Sequence, residues 1–183
     1  MFGFFFSSAT SFIAEVVSDN AEFRNGIRHT VMKHGMIVSK AKDLEVESPY
    51  ENYYDYTEGV DKIPGHRILA INRAEKEKVI SVKIEMPDDN IIRVLEKSMI
   101  VGQSPYTNVL KEAIEDGYTR LIKPAVERDV RSSLTEKAED GAITVFGQNL
   151  KQLLMQPPIA GKTVLGWDPA FRTGCKLAVV DPT

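Results

Sequence analysis

Apolar residues recur every three or four positions over most of the chain, which is the pattern of helices that bury one face. The longest such tract runs from about Pro105 to Met155 and predicts one long helix. Pro124 lies inside this tract, lacks a backbone N–H and is expected to kink or break the helix there. Packing of the apolar stripe against other helices would be its main source of stability.

Shorter elements are predicted before this long tract. Helices are expected over about residues 19–34, 65–78 and 88–99, and a half-buried strand over residues 79–86, where polar and apolar residues alternate. Asp19 and Glu22 have capping-box spacing at the start of the first of these helices, and Gly35 follows its end. The preceding segment, which Ser11 can cap, could make this region a DNA-binding helix-turn-helix. A basic recognition face is lacking, so packing is the favoured interpretation.

The pattern changes after the long tract. Pro157 and Pro158 forbid further helix. Residues 162–167 and 176–180 predict two strands joined by a turn, and two strands alone are only marginally stable. The predicted fold is therefore mainly α, a multi-helix scaffold with a long kinked central helix, a short β element and a C-terminal β-hairpin. Residues 1–156 form the scaffold and residues 157–183 begin a second domain that a larger protein would complete.

Composition narrows the function classes. The chain has 183 residues, 27% of them charged, and a net charge of −3, which argues against wholesale neutralisation of nucleic-acid phosphates. A single cysteine, Cys175, excludes an internal disulfide and a cysteine-based zinc site. The three histidines lack metal-ligand spacing near acids, so we predict no metal and no cofactor. The phenylalanine-rich start, Phe2 to Phe6, lacks the pattern of a signal peptide, and no stretch reaches membrane-spanning length, which predicts a cytoplasmic protein.

The predicted helix over residues 65–78 offers the only local candidate for nucleic-acid binding. Its cations are Arg67, Arg73, Lys76 and Lys78. A solvated helix face explains these charges slightly better than a set of phosphate contacts. The nearby tyrosines at positions 50, 53, 54 and 56 could stack on bases, but acids are interleaved with them. We therefore expect these rings to dock on the core.

Two chemical motifs lie near the C-terminus. Gly161-Lys162-Thr163 is similar to the end of a P-loop, but Gln156 stands where a glycine is required and a strand is predicted after it, so a P-loop is rejected. Asp168 ends the first predicted strand before a glycine turn, the arrangement that opens a two-metal phosphodiesterase site. The same strand–turn–strand opens the phosphate loop of actin-like kinases. Asp168 could equally cap the turn.

Several segments carry a resemblance to one family, the Tex RNA-binding transcription accessory proteins. The resembling segments are Tyr53-Tyr54-Asp55-Tyr56, Ile63-Pro64-Gly65-His66-Arg67, Ala113-Ile114-Glu115-Asp116, Arg131-Ser132-Ser133-Leu134-Thr135-Glu136-Lys137-Ala138, Leu153-Leu154-Met155-Gln156-Pro157-Pro158 and the run from Leu165 to Asp181. The resemblance implies a central helical scaffold joined to the start of a YqgF, or RNase H-like, domain. It gives Asp168 the position of the first acid of an RNase H-like site, a vestigial one, since Ala170 stands where related resolvases often have glycine.

The resemblance implies a function for the parent protein more than for this segment. In the family, nucleic-acid binding is attributed to a C-terminal S1 domain and helix-hairpin-helix elements, neither of which is in this chain. We therefore predict a noncatalytic scaffold segment whose parent binds RNA or DNA through those modules and contacts the transcription machinery. The alternatives are part of a metal-dependent RNase H-like or resolvase-like nuclease, in which Asp168 would ligate metal, and an actin-like nucleotide-binding domain.

Overall fold

The computed structural model describes residues 14–45, 47–102, 104–157, 159–172 and 174–182. The phenylalanine-rich start and the predicted helix cap at Ser11 lie outside these ranges. The chain divides into two compact units, Met1–Ile143 and Thr144–Thr183. Within the described ranges, no helix is both long and apolar enough to cross a lipid bilayer.

The first unit contains most of the predicted helices. Residues 14–19 are helical, and they are followed by α1 (Ala21–His34), α2 (Gly65–Lys76), α3 (Asp88–Met99) and α4 (Thr107–Asp116). The predicted start of α1 at Asp19 is slightly displaced. Asn20 is the N-cap, and its side-chain oxygen accepts hydrogen bonds from the backbone N–H groups of Glu22 and Phe23. The predicted ends of α1 and α3 are confirmed.

A three-stranded antiparallel sheet is the largest departure from the predicted elements. Its strands are β1 (Met36–Ala41), β2 (Asp55–Gly59) and β3 (Ile80–Glu85), in the order β2-β1-β3. Only β3 was predicted. The β1 strand begins two residues after α1 ends, and a β-carbon on Gly35 would lie 2.5 Å from the Val31 carbonyl oxygen. Glycine therefore permits a helix-to-strand reversal that the hydrophobic pattern alone did not indicate.

The core of the first unit lies between one face of this sheet and the helices. Alternate residues of the central and outer strands, such as Ile37, Val82 and Ile84, are buried. Ser39 is also fully buried, and its hydroxyl donates to the Tyr53 carbonyl at 2.7 Å. A buried polar group thus has a partner, as expected in a well-packed interior.

The long helical tract is confirmed, but it accommodates its proline by a change of helix type. After α4, residues Gly117–Ile122 form a π-helix, and α5 then runs over Lys123–Leu154. The N–H of Lys123 bonds to the Tyr118 carbonyl, five residues back. Pro124 follows directly and has no N–H to place. The wider π turn before Pro124 therefore lets the chain stay helical where a kink or break was expected.

Polar and close contacts hold α5 against α2 and α1. Asn72 of α2 donates from Nδ2 to Thr135 Oγ1 at 2.8 Å, and Arg131 pairs with Glu75. On the α1 side, the Arg28 guanidinium lies 2.6 Å from a carboxylate oxygen of Asp129. The Arg131–Ala138 segment, which carries part of the family resemblance, thus contains residues through which α5 contacts α2.

The second unit contains the end of α5 and the predicted hairpin. Its strands are β4 (Val164–Asp168) and β5 (Lys176–Val180), which pair antiparallel. Gly174 in the connecting turn has φ of 77°, a conformation that glycine adopts without steric cost. Lys162 and Thr163 lead into strand β4, whereas a P-loop requires a helix at that point.

Candidate nucleic-acid interface

Helix α2 presents cations to solvent because its opposite side is buried in the core. The buried side chains of α2 are those of Ile68, Ile71 and Ala74. Arg73 and Lys76 lie in the last turn and are exposed, whereas Arg67 lies near the start and is half-buried. Nine residues separate Arg67 from Lys76, about 14 Å along the helix axis. The four predicted cations therefore fall into two places, Arg67 at one end and the others at the far end.

The far end of α2 closes in a Schellman motif with Lys78 in the left-handed conformation. The N–H of Val79 bonds to the Ala74 carbonyl at 3.0 Å, and the N–H of Lys78 bonds to the Glu75 carbonyl at 2.9 Å. Lys78 has φ of 63°, and it is the non-glycine residue with positive φ in the described part of the chain. Glycine is usual at this position because a β-carbon is crowded there. An exposed cation thus stands where the backbone favours glycine.

Arg67 is engaged in a cluster with Tyr56 and Glu58 of strand β2. Its Nη1 donates to the Tyr56 hydroxyl and to Glu58 Oε2, each at 3.0 Å, and the Tyr56 hydroxyl donates to the same carboxylate oxygen. The guanidinium carbon also lies 5.9 Å from the centroid of the Tyr56 ring. The charge of Arg67 is therefore largely compensated inside the fold.

The cluster shifts the ionisation of its three members consistently. Burial, followed by the hydrogen bond to Glu58, raises the pKa of Tyr56. The hydrogen bond from Tyr56 lowers the pKa of Glu58, and Arg67 lowers it further. The hydrogen bond to Tyr56, followed by the one to Glu58, raises the pKa of Arg67. A carboxylate, a neutral phenol and a guanidinium are thus the stable forms near neutral pH.

The tyrosines pack on the core, as predicted. The four partly buried rings that contact it are Tyr50, Tyr53, Tyr54 and Tyr56. The Tyr50 hydroxyl donates to Glu77 Oε1 at 2.9 Å, and burial, with Glu77 as a further cause, raises the pKa of this phenol. Arg73 lowers the pKa of the same phenol, but by less than burial and Glu77 raise it. Arg73 therefore sits beside a glutamate and a tyrosine, which leaves Lys76 and Lys78 as the more freely presented cations.

Two lysines that the sequence reasoning missed lie beside the Lys78 turn. Lys40, next to the last residue of strand β1, pairs with Ser81, and the backbone N–H of Lys42 bonds to the Val79 carbonyl at 3.0 Å. Both side chains are exposed. A signal for them was present, because residues 23–42 contain lysines and arginines but no aspartate or glutamate. Antiparallel pairing of β1 with β3 brings this acid-free segment next to the end of α2.

Asp168 lies in the second unit, at the end of β4. Its Cα is in register with that of Lys176 across the hairpin, and its side chain is exposed. In the part of the chain that the structure describes, no group of three or more His, Cys, Asp and Glu side chains is placed to hold a metal ion. Among the described residues, Asp168 therefore stands as a carboxylate on a two-stranded hairpin and belongs to no such group.

Comparison with known proteins places the chain among named relatives. The Tex central region-like family matches residues 6–146. The uncharacterized protein YdcI of Bacillus subtilis is 51% identical over 179 residues, which is 96% of this chain and 25% of that protein. The transcriptional accessory protein Tex of Neisseria gonorrhoeae is 32% identical over 192 residues, which covers 96% of this chain and 24% of the relative.

A human relative extends the similarity to eukaryotes. The human S1 RNA-binding domain-containing protein 1 is 36% identical over 187 residues, covering 93% of this chain and 19% of that protein. The chain thus spans about a quarter or less of the length of the curated relatives it matches. The family match covers well over half of the chain. It includes the segments of α2 and α5 that contact each other and carry the sequence resemblance. This chain belongs to the Tex family of transcription accessory proteins.

Proposed function

We propose that these 183 residues are a noncatalytic scaffold segment of a Tex-type transcription accessory protein. RNA or DNA would be bound mainly by other modules of the parent protein, which also contacts the transcription machinery. The family membership and the printed names of the relatives support this proposal. The hydrogen bonds and ion pairs that join α5 to α2 and α1 are consistent with a rigid spacer between functional modules.

The segment's own share in nucleic-acid binding is a weak electrostatic contact at the end of α2. The observation that carries this part of the proposal is the left-handed conformation of Lys78. A lysine there costs stability that glycine would not, and such strain often marks a functional position. Lys76 lies in the last helical turn beside it, and Lys42 is joined to the same turn by its backbone. Arg67 and Arg73, which have acidic or phenolic partners, contribute less.

A substitution at Lys78 tests this proposal with two opposed readouts. Lys78→Gly relieves the backbone cost and removes one cation, so its melting temperature should rise while its affinity for single-stranded RNA falls. Each lost phosphate contact on a single strand should reduce the slope of log affinity against log salt by about 0.7. Lys151→Ala removes an exposed charge in the second unit and serves as the matched control, with no change expected in either quantity.

Binding to RNA should also ignore base sequence, because phosphate contacts carry no sequence information. The combined variant Arg67→Glu, Arg73→Glu asks whether the two arginines that have acidic or phenolic partners matter as much as the lysines at the end of α2. Tight, sequence-selective binding that survives high salt and all these substitutions would contradict the proposal. The full-length parent protein should bind far more tightly than this segment.

Residues 157–183 are proposed to begin an RNase H-like domain that carries no nuclease chemistry in this segment. Two-metal hydrolysis needs several convergent carboxylates, and Asp168 supplies one. Incubation with single-stranded, duplex and branched substrates plus magnesium or manganese should therefore give no cleavage. Metal-dependent cleavage that disappears in Asp168→Asn would establish the nuclease alternative instead.

A further inference from the structure

Strand β2 forms one edge of the three-stranded sheet, since the strand order is β2-β1-β3. Two hydrogen bonds just beyond its ends show which of its residues bond to β1. The N–H of Ala41 bonds to the Tyr54 carbonyl at 2.7 Å, and the N–H of Val60 bonds to the Gly35 carbonyl at 2.9 Å. Both pairs continue the β1–β2 register. Hydrogen-bonded pairs recur at every second residue of an antiparallel ladder, so the even-numbered residues of β2 bond to β1.

The odd-numbered residues of β2 therefore direct their backbone groups outward, away from β1. Tyr56 and Glu58 bond to β1, whereas Asp55, Thr57 and Gly59 present their N–H groups at the outer edge. The Gly59 carbonyl accepts from the turn that follows β2. Asp55 and Thr57 are exposed, and among the described residues no hydrogen bond reaches their outward N–H and C=O groups.

The opposite edge of the sheet, strand β3, differs in this respect. The outward N–H of Ile84 in β3 donates to Glu127 Oε1 of α5 at 2.9 Å. Edge strands with open backbone groups pair readily with other strands, and proteins usually cover or obstruct them. Strand β2 contains no proline that would obstruct pairing. The fold thus satisfies an outward group of β3 with a side chain, whereas Asp55 and Thr57 of β2 keep theirs open.

The charges beside this edge indicate what kind of strand would pair with it. Asp55 is in register with Lys40 of β1, but in the described structure no ion pair joins them, and the carboxylate is exposed. Glu58, on the helix side, is paired with Arg67 and has His66 nearby. The turns that flank β2 add the exposed charges of Glu51, Asp61 and Lys62. A second copy of β2 would bring the same exposed acids to the edge, whereas a strand that carries cations would balance them.

We propose that the edge of β2 binds an extended, basic segment of a partner protein, which adds a strand to the sheet beside β2. The outward N–H and C=O groups of Asp55 and Thr57 bond to the backbone of that segment. A lysine or arginine opposite Asp55 pairs with its carboxylate, and a threonine opposite Thr57 pairs with its hydroxyl. This is β-strand addition, in which backbone hydrogen bonds supply affinity and alternate side chains supply specificity.

A short synthetic peptide provides the probe. Fluorescein-labelled Lys-Val-Thr-Val-Lys-Val-Lys, aligned antiparallel to β2, places its threonine opposite Thr57 and its middle lysine opposite Asp55. Fluorescence anisotropy should show saturable binding to the full chain. Methylation of the backbone nitrogens of that threonine and that lysine removes the donors that face β2, so affinity should fall about tenfold or more. Methylation at the valines on either side of the middle lysine removes donors that face away from β2 and should leave affinity unchanged.

Variants of the chain locate the site. Thr57→Pro removes an outward N–H and no bond to β1, and edge strands tolerate proline at such positions, so the fold should be kept while peptide affinity falls about tenfold. Asp55→Asn should weaken binding of this peptide and strengthen that of a version with glutamate in place of lysine. Glu112→Gln removes an exposed acid from α4, outside the sheet, and is the matched control, with both affinities unchanged.

Amide hydrogen exchange gives a readout on the unsubstituted chain. Without peptide, the Thr57 amide should exchange faster than the amides of Tyr56 and Glu58, because only the latter two bond to β1. Saturating peptide should slow exchange at Thr57, since its N–H then has an acceptor in the added strand. The Glu112 amide in α4 should exchange alike with and without peptide.

Three outcomes would overturn the proposal. One is the absence of saturable binding by a folded wild-type chain at millimolar peptide. Another is equal affinity for the two methylated peptides, or binding that leaves exchange at Thr57 unchanged, since either result would mean contact through charge alone. The third is a concentration-dependent dimer in sedimentation experiments that Thr57→Pro abolishes, which would make a second copy of this chain the occupant.

Discussion

Gly65 lies directly against Ala138, at the point where the first turn of α2 meets α5. A β-carbon built on Gly65 would stand 3.1 Å from the Ala138 Cα and 3.2 Å from its Cβ. These distances are tighter than ordinary van der Waals contact, and one of them involves backbone that cannot move alone. The two segments that meet here, Ile63–Arg67 and Arg131–Ala138, are among those that carry the family resemblance. Close helix approach is the physical reason for the pairing of these two small residues.

Enlarging Gly65 should therefore destabilise the first unit. We expect Gly65→Val to lower the free energy of unfolding by about 1–3 kcal/mol, the usual cost of overpacking, and Gly65→Ala to cost less. Gly141→Ala is the control. Gly141 lies inside helix α5 and has open space around it, so the change should stabilise the protein by about 0.5–1 kcal/mol. Urea denaturation measures all three, and equal stability of Gly65→Val and wild type would refute the close contact.

The Glu127 side chain of α5 accepts a hydrogen bond from the backbone at the outer edge of the sheet. Its Oε1 accepts a hydrogen bond at 2.9 Å from the backbone N–H of Ile84 in edge strand β3. Glu127→Ala leaves that N–H without its acceptor and should cost about 1–3 kcal/mol, whereas Glu127→Gln keeps an acceptor and should cost less. Hydrogen exchange of the Ile84 amide should accelerate in the alanine variant. Identical exchange in both variants would show that the glutamate bond is not what protects this edge.

Tyr118 should make the first unit sensitive to alkali. Its side chain is 1% exposed, and burial, followed by the hydrogen bond to Asp88, raises the pKa of the phenol well above its ordinary value near 10. Because the folded pKa is the higher one, the stabilisation is complete below about pH 10 and is lost as pH rises from there towards the folded pKa.

Denaturation at a series of pH values above 10 tests this expectation. The wild type should lose stability more steeply than Tyr118→Phe, by at most about 1.4 kcal/mol per pH unit for one proton. Parallel pH profiles for the two proteins would mean that Tyr118 ionises as readily in the folded state as in the unfolded one.

Glu58 should confer the opposite dependence at acid pH. The pKa of its carboxyl is lowered by the hydrogen bond from Tyr56 and by Arg67. A lowered folded pKa stabilises the fold above the ordinary carboxyl value, near 4.3, and this contribution is lost as pH falls through the folded pKa. In an NMR titration, Tyr56→Phe should move the Glu58 pKa upward. An unchanged Glu58 pKa in that variant would contradict this account.

The local pattern of apolar and capping residues was sufficient to predict the helices and the C-terminal hairpin. The spacing of Ile68 and Ile71 places both on the buried face of α2, and the end of α1 at His34 follows from Gly35. These features depend on residues close together in the chain, where periodicity and capping act directly. The same holds for β4 and β5, which are separated by a short turn.

The local pattern of apolar and polar residues was insufficient to predict β1 and β2, because a strand forms by hydrogen bonding to other strands of the sheet. Met36–Ala41 pairs with Ile80–Glu85, far along the chain, and with Asp55–Gly59. That non-local pairing also brings Lys42 beside Lys78, which no run of neighbouring residues indicates. At Pro124, where a kink or break was predicted, the chain instead stays helical after a π-helical segment over Gly117–Ile122.

The sequence by itself determined the helical scaffold, the terminal hairpin and the family to which the chain belongs, because these rest on periodicity and on short motifs. The tertiary structure alone decided which charges are available for binding. Arg67 of helix α2 is held by Tyr56 and Glu58 of strand β2, whereas Lys78 lies exposed at the end of the helix. Whether a cation is neutralised depends on groups that folding brings within a few ångströms, and the strength of that interaction falls with distance in space, not along the chain.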